Sequence, residues 1–154
     1  MDELNVIFRN THRNYYYGEG LCYVLQNIFP GKVIRFHTVS DLSHEDADGA
    51  DIIILDLCRG EEFLCHRALY DCHPALLIGL TEDKYQPEKQ TLPLCLHRMS
   101  FICKHDSPEN MAQQIGESLV TTLKSEEENT PVYTDICTYY RLSVQQDKVT
   151  EAFC

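Results

Sequence analysis

Positive charge is scarce in this chain. Its 13 lysines and arginines face 24 aspartates and glutamates, for a formal net charge of -11. A surface of that sign repels a phosphate backbone, so the polypeptide as given is not expected to hold DNA or RNA unaided. Long apolar runs are missing as well, since none approaches the roughly 20 residues that span a bilayer. The opening Met1-Asp2-Glu3-Leu4-Asn5 has no basic stretch leading into an apolar one, which argues against a secretion signal. No Cys-x-x-Cys pair occurs among the eight cysteines, Cys22, Cys58, Cys65, Cys72, Cys95, Cys103, Cys137 and Cys154. Cys65-His66, Cys72-His73 and Cys95-Leu96-His97 invite a zinc hypothesis, but their spacing fits neither a ribbon nor a finger, and no metal is expected. With no leader, the thiols are read as reduced, several of them as small buried apolar groups. The seven glycines are spread thinly and form no phosphate-cradling loop after the first apolar run, and no G-x-S-x-G elbow is present. These absences count against a flavodoxin-like enzyme.

What remains is an ordinary globular composition, 44% hydrophobic and 24% charged over 154 residues, enough for one domain with a core and a tail. Short apolar runs alternate with helical stretches. Val6-Ile7-Phe8 reads as a first strand. Residues 15–29 read as a helix, with Leu21, Val24, Leu25 and Ile28 on one stripe, ended by Pro30-Gly31. Residues 32–37 give a second strand, and the acidic stretch 40–49 has room for a short helix at most. Ile52-Ile53-Ile54-Leu55 is the most hydrophobic run, as a central parallel strand covered on both faces requires. Residues 63–72 read as a third helix and Leu76-Leu77-Ile78-Gly79-Leu80 as a fourth strand. Pro87 and Pro93 make residues 82–94 irregular. Phe101-Ile102-Cys103 is a fifth strand. Ser107 caps a last helix, with Pro108 in its first turn and Met111, Ile115, Leu119 and Leu123 as its stripe. Five strands interleaved with helices predict a doubly wound α/β fold, a five-stranded parallel sheet of order 2-1-3-4-5 with function at the carboxyl ends of its strands.

Three residues fall at three such ends: Asp56 after the third strand, Thr81 after the fourth and Lys104 after the fifth. Aspartyl phosphorylation uses this trio. A carboxylate attacks phosphorus, a hydroxyl follows a phosphoryl oxygen, and an ammonium offsets the charge. Each residue alone is commonplace, because polar side chains begin loops.

Here the chain resembles the receiver domains of bacterial response regulators, the NarL/LuxR type in particular. The run Lys104-His105-Asp106-Ser107-Pro108-Glu109 carries most of the likeness, Gly20-Leu21 adds to it, and it covers residues 4–123. The resemblance implies a receiver fold with Asp56 in the phosphoacceptor position and Thr81 and Lys104 in the switch positions. It also implies dimerisation through surface helices, the first and the last. Receivers end the first strand with two adjacent acids that hold magnesium. Here Asn10 and Thr11 occupy those positions, uncharged, with Arg9 beside them. Magnesium seeks carboxylate oxygens, so phosphorylation of Asp56 is expected to be lost. Lys104 is then expected to pair permanently with Asp56, with Arg9 competing for the same carboxylate.

Residues 1–124 are expected to form the receiver-like domain and 125–141 a linker. Within 142–154, Leu142-Ser143-Val144-Gln145-Gln146-Asp147-Lys148-Val149 is similar to the opening of a LuxR-type helix-turn-helix domain. The alternative is a C-terminal helix packed on the body or at a dimer contact. Tyr15-Tyr16-Tyr17 cannot all point inward on a helix, so surface or interface material is expected there. The resemblance thus implies a cytoplasmic regulator without enzymatic activity or cofactor. It would act as a homodimer, or a heterodimer with another regulator, reaching DNA only through a domain absent or incomplete here and using no membrane. A conventional phosphorylated receiver is the competing reading.

Overall fold

A computed structural model describes residues 3–10, 15–70, 72, 74–84 and 86–125, with the side chains of 15, 16 and 120–125 excepted. Its centre is a five-stranded, all-parallel sheet of order β2-β1-β3-β4-β5. The strands are β1 (Glu3–Arg9), β2 (Val33–Val39), β3 (Ile52–Asp56), β4 (Leu76–Thr81) and β5 (Ser100–Cys103); the helices are α1 (Tyr15–Ile28), α2 (His44–Asp48) and α3 (Pro108–Ser125). This is the doubly wound architecture that flavodoxin-like and receiver folds share.

Every residue of β3 and β4 is buried, which is why both runs are apolar without alternation. Their two faces build two cores. Val6, Phe8, Ile52, Ile54, Ile78 and Leu80 meet α1 and α3 through Leu21, Leu25, Met111 and Ile115. Ile7, Ile53, Leu55 and Leu77 meet Ala47 of α2 and residues in or just after the 3-10 turns, Leu69, Leu92 and Leu96 among them. Tyr17 packs its ring 6.3 Å from that of Phe8, so this member of the tyrosine triplet helps fill the core. The Ser107 hydroxyl accepts from the Asn110 amide at 3.2 Å and caps α3 as the sequence predicts.

The second face departs from expectation. Residues 63–72 form no α-helix but lie within two 3-10 turns and their links, Glu61–Phe63 and Arg67–Leu69. Gly60, at φ +89°, opens the first turn in the left-handed region that glycine alone enters freely. Leu64 and His66 then take extended backbone, which ends one turn before the next begins. The irregular stretch between β4 and β5 holds two more such turns, Lys89–Thr91 and Leu94–Leu96, in keeping with its prolines. β1 and β2 are longer than their apolar cores, because pairing extends from Glu3 opposite Val33 to Arg9 opposite Val39.

Cys22, Cys65, Cys72, Cys95 and Cys103 are in no disulfide. Cys58 is disulfide-bonded, so the expectation of reduced cysteines throughout fails at that position. No helix among the described residues is long and apolar enough to cross a membrane. Thr11 and residues 126–154, on which the linker and tail readings rest, lie outside the described residues.

Candidate functional site

The carboxyl ends of β1, β3, β4 and β5 gather two charged groups, one toward each face of the sheet. Strand alternation puts Asp56 on the side of Ile52 and Ile54, facing α1 and α3. Lys104, two residues beyond Ile102, falls on the same side. Its Nζ lies 2.5 Å from Asp56 Oδ1 and 3.1 Å from Glu82 Oε1. The expected Asp56–Lys104 contact is therefore formed, between two side chains about nine-tenths buried. Burial by itself would lower the Lys104 pKa; hydrogen bonds to Asp56 and Glu82 outweigh it and hold the ammonium above its ordinary value. Glu82 takes a further contact from His105 Nε2 at 2.9 Å, and His105 with Lys104 brings its carboxyl down to about 2. Burial, and then the charge of Asp56, pushes the nearby Tyr17 phenol well up.

Arg9 does not take the place expected of it. It shares its face with Ile7, and its guanidinium reaches Glu61 in the first 3-10 turn. Nη2 donates to Glu61 Oε1 at 2.8 Å, and Nη1 contacts Oε2. The same Nη2 also donates to the backbone carbonyl of Asp56 at 2.9 Å, joining the two groups through the end of β3. Glu61 also accepts from the Cys58 amide at 3.0 Å. Burial alone would raise its pKa, but Arg9 and these neighbours hold it below the ordinary value. His66 is enclosed beside this pair, 3.9 Å from Glu61 Oε2, and burial drives its pKa down.

Of the predicted trio, Asp56 and Lys104 are in contact. Thr81 alternates to the side of Leu77 and Gly79, and its hydroxyl donates to the Asp83 carbonyl at 2.8 Å. It lines a groove of about 500 Å³ whose walls include Leu57, Arg59, Glu62, Phe63 and Asp83. Asn10 is buried just beyond β1, with its amide bonded to the Val39 carbonyl at 2.9 Å. Because β1 ends with Arg9 in register with Leu55, Arg9 and Asn10 lead the chain past Asp56.

Glu61 and Glu82 were not singled out in the sequence; His66 was named there only beside Cys65 as a zinc candidate, and His105 only within the Lys104–Glu109 run. Arg9 was the usable signal for Glu61. A cation on the same face as Ile7 is destined for burial, and a buried cation needs an acid within reach.

A magnesium site would need hard oxygen donors clustered at Asp56. The donors present do not fit one. The Asp56 carboxylate holds an ammonium, Glu61 holds a guanidinium through both oxygens, and Asn10 brings no charge. Among the described residues no group of three or more His, Cys, Asp and Glu side chains is arranged around a common point suited to a metal ion.

Fold and site together define a doubly wound α/β domain with internal ion pairs at the carboxyl ends of its strands. Comparison with protein-family models, with curated proteins and with solved structures finds no match to this chain.

Proposed function

We propose that this domain is a regulatory, receiver-like module of a cytoplasmic transcription regulator. It transmits its signal through surfaces, by pairing with an identical chain or with another regulator, and not by magnesium-dependent phosphorylation of Asp56. One observation carries the reading. The carboxylate in the phosphoacceptor position is already neutralised by Lys104, and the strand that would supply acids beside it supplies Arg9, itself neutralised by Glu61. A divalent ion entering here has to displace one buried cation and lie near a second, with no free carboxylate pair to receive it. Contact with DNA belongs to a separate basic module, since the net charge of -11 opposes it here.

The test is incubation of the protein with Mg²⁺ and acetyl phosphate, read by intact mass, alongside sedimentation over a range of concentrations. The expected result is no phosphoprotein and association that depends on concentration. A substantial yield of protein phosphorylated at Asp56, or association driven only by fluoroberyllate with Mg²⁺, supports the conventional phosphorylated receiver and overturns the proposal.

A further inference from the structure

Two thiols that are in no disulfide stand together on the side of the 3-10 turns. Cys65 lies in the extended link between the first two 3-10 turns, and Cys95 lies in the last one, Leu94–Leu96. They are thirty residues apart in sequence, yet their Sγ atoms are 3.6 Å apart. Both residues are partly exposed. We propose that Cys65 and Cys95 form a modification site, a dithiol that hydroperoxides convert to an intramolecular disulfide. The inference goes beyond the proposed function and does not depend on it.

The geometry asks for little movement. A disulfide needs its sulfurs about 2.05 Å apart, so they must approach by about 1.5 Å. The segments that carry them suit that shift. One is an extended link, and the other a three-residue turn held by a few i to i+3 bonds, whereas β4, which lies between them in sequence, is buried throughout. Cys72 competes for Cys95, because both line one small cavity with Leu69, Leu77 and Arg98. The Cys65–Cys95 pair stands at sulfur–sulfur hydrogen-bond distance.

The chemistry balances in two steps. A thiolate attacks one peroxide oxygen, the O–O bond breaks, and the departing oxygen takes a proton as water or alcohol, leaving a sulfenic acid. The second thiolate attacks that sulfur, the S–S bond forms, the S–O bond breaks and water leaves. In sum, two thiols and one hydroperoxide give one disulfide, one water and one further water or alcohol. The sulfurs lose two electrons and the O–O bond takes them up.

The sequence makes the test clean. Trypsin cutting after Arg59 and Arg67 releases residues 60–67 with Cys65 alone, and cutting after Lys89 and Arg98 releases 90–98 with Cys95 alone; Cys72 falls in 68–84. The full chain is treated with hydrogen peroxide, its remaining thiols are alkylated, and the digest is read by mass spectrometry. The expected product joins 60–67 to 90–98 with loss of two hydrogen atoms and separates on reduction. It persists in Cys72→Ser and is absent from Cys65→Ser and Cys95→Ser. Circular dichroism verifies that each variant folds, and Cys65→Ala and Cys95→Ala replace any serine variant that does not. Closing a ring of this size raises the oxidised protein's Tm by roughly 10 °C. A peptide joining 68–84 to 90–98 overturns the proposal. So does sulfinic acid at either cysteine without the linked peptide, or oxidation that leaves both thiols open to alkylation.

Discussion

Arg9 places a permanent charge inside the domain, and Glu61 makes that tolerable. Removing one member of such a pair leaves the other buried and unmatched, which costs more than the pair itself contributes. Glu61→Gln is therefore expected to destabilise the protein by about 3–5 kcal/mol in urea unfolding. Arg9→Met combined with Glu61→Leu recovers most of that loss, since the double replacement leaves no buried charge. His66 beside them sets the pH response. Its folded pKa lies below the ordinary histidine value of 6.5, so the unfolded state takes up a proton first as pH falls. Stability is then full above about 6.5 and declines below it. Glu61, also lowered from 4.5, keeps its contribution above that value and loses it as pH falls further through the folded pKa. Urea midpoints measured against pH are expected to show two acid stages, and His66→Leu should remove the upper one. An unchanged upper stage in that variant would rule out His66 as its source.

The last helix offers a measurement at the scale of an element. Ser107 supplies a side-chain bond that caps the start of α3, and Met111 and Ile115 bury its stripe. Ser107→Ala is expected to cost about 1 kcal/mol, Ser107→Gly only a few tenths, and Ser107→Asp almost nothing because it keeps the acceptor. Equal losses in all three would show that the hydroxyl acts elsewhere. Elements of this kind were readable in advance because their signals are local. The β-branched run of β3, the apolar run of β4, the Pro30-Gly31 stop and the Ser107-Pro108 start each specify their own backbone. The segment after β3 was not readable in the same way. Phe63, Leu64, Ala68 and Leu69 give it the apolar content of a helix, but Gly60 starts a tight turn and two extended residues interrupt it. The same contrast holds at the site. Asp56 and Lys104 were visible as polar residues at the ends of strands, and the sheet order brings them together. Arg9–Glu61 depends on which face β1 presents and on where an irregular loop folds back, and neither is written in a short window of sequence.

At the scale of the whole molecule, charge and metal binding must be separated before either is interpreted. A chain with a net charge of -11 repels itself when compact, so any added salt is expected to stabilise it by screening. A stabilising effect of Mg²⁺ alone therefore proves nothing about Asp56. A resident ion behaves differently from a screening one, because binding to the folded state alone adds RT ln(1 + [Mg²⁺]/Kd) on top of screening. The closed pairs at the strand ends predict that this extra contribution is absent. Thermal unfolding in MgCl₂ and in KCl at matched ionic strength should give the same Tm. Lys104→Met uncovers Asp56 and, without the buried ammonium, gives the ion its best access; this variant is where any gain of Tm in MgCl₂ over KCl should appear first. An excess in the unaltered protein that vanishes in Asp56→Asn would mean that the cation displaces Lys104 after all, and the pocket would then be a switch and not a lock.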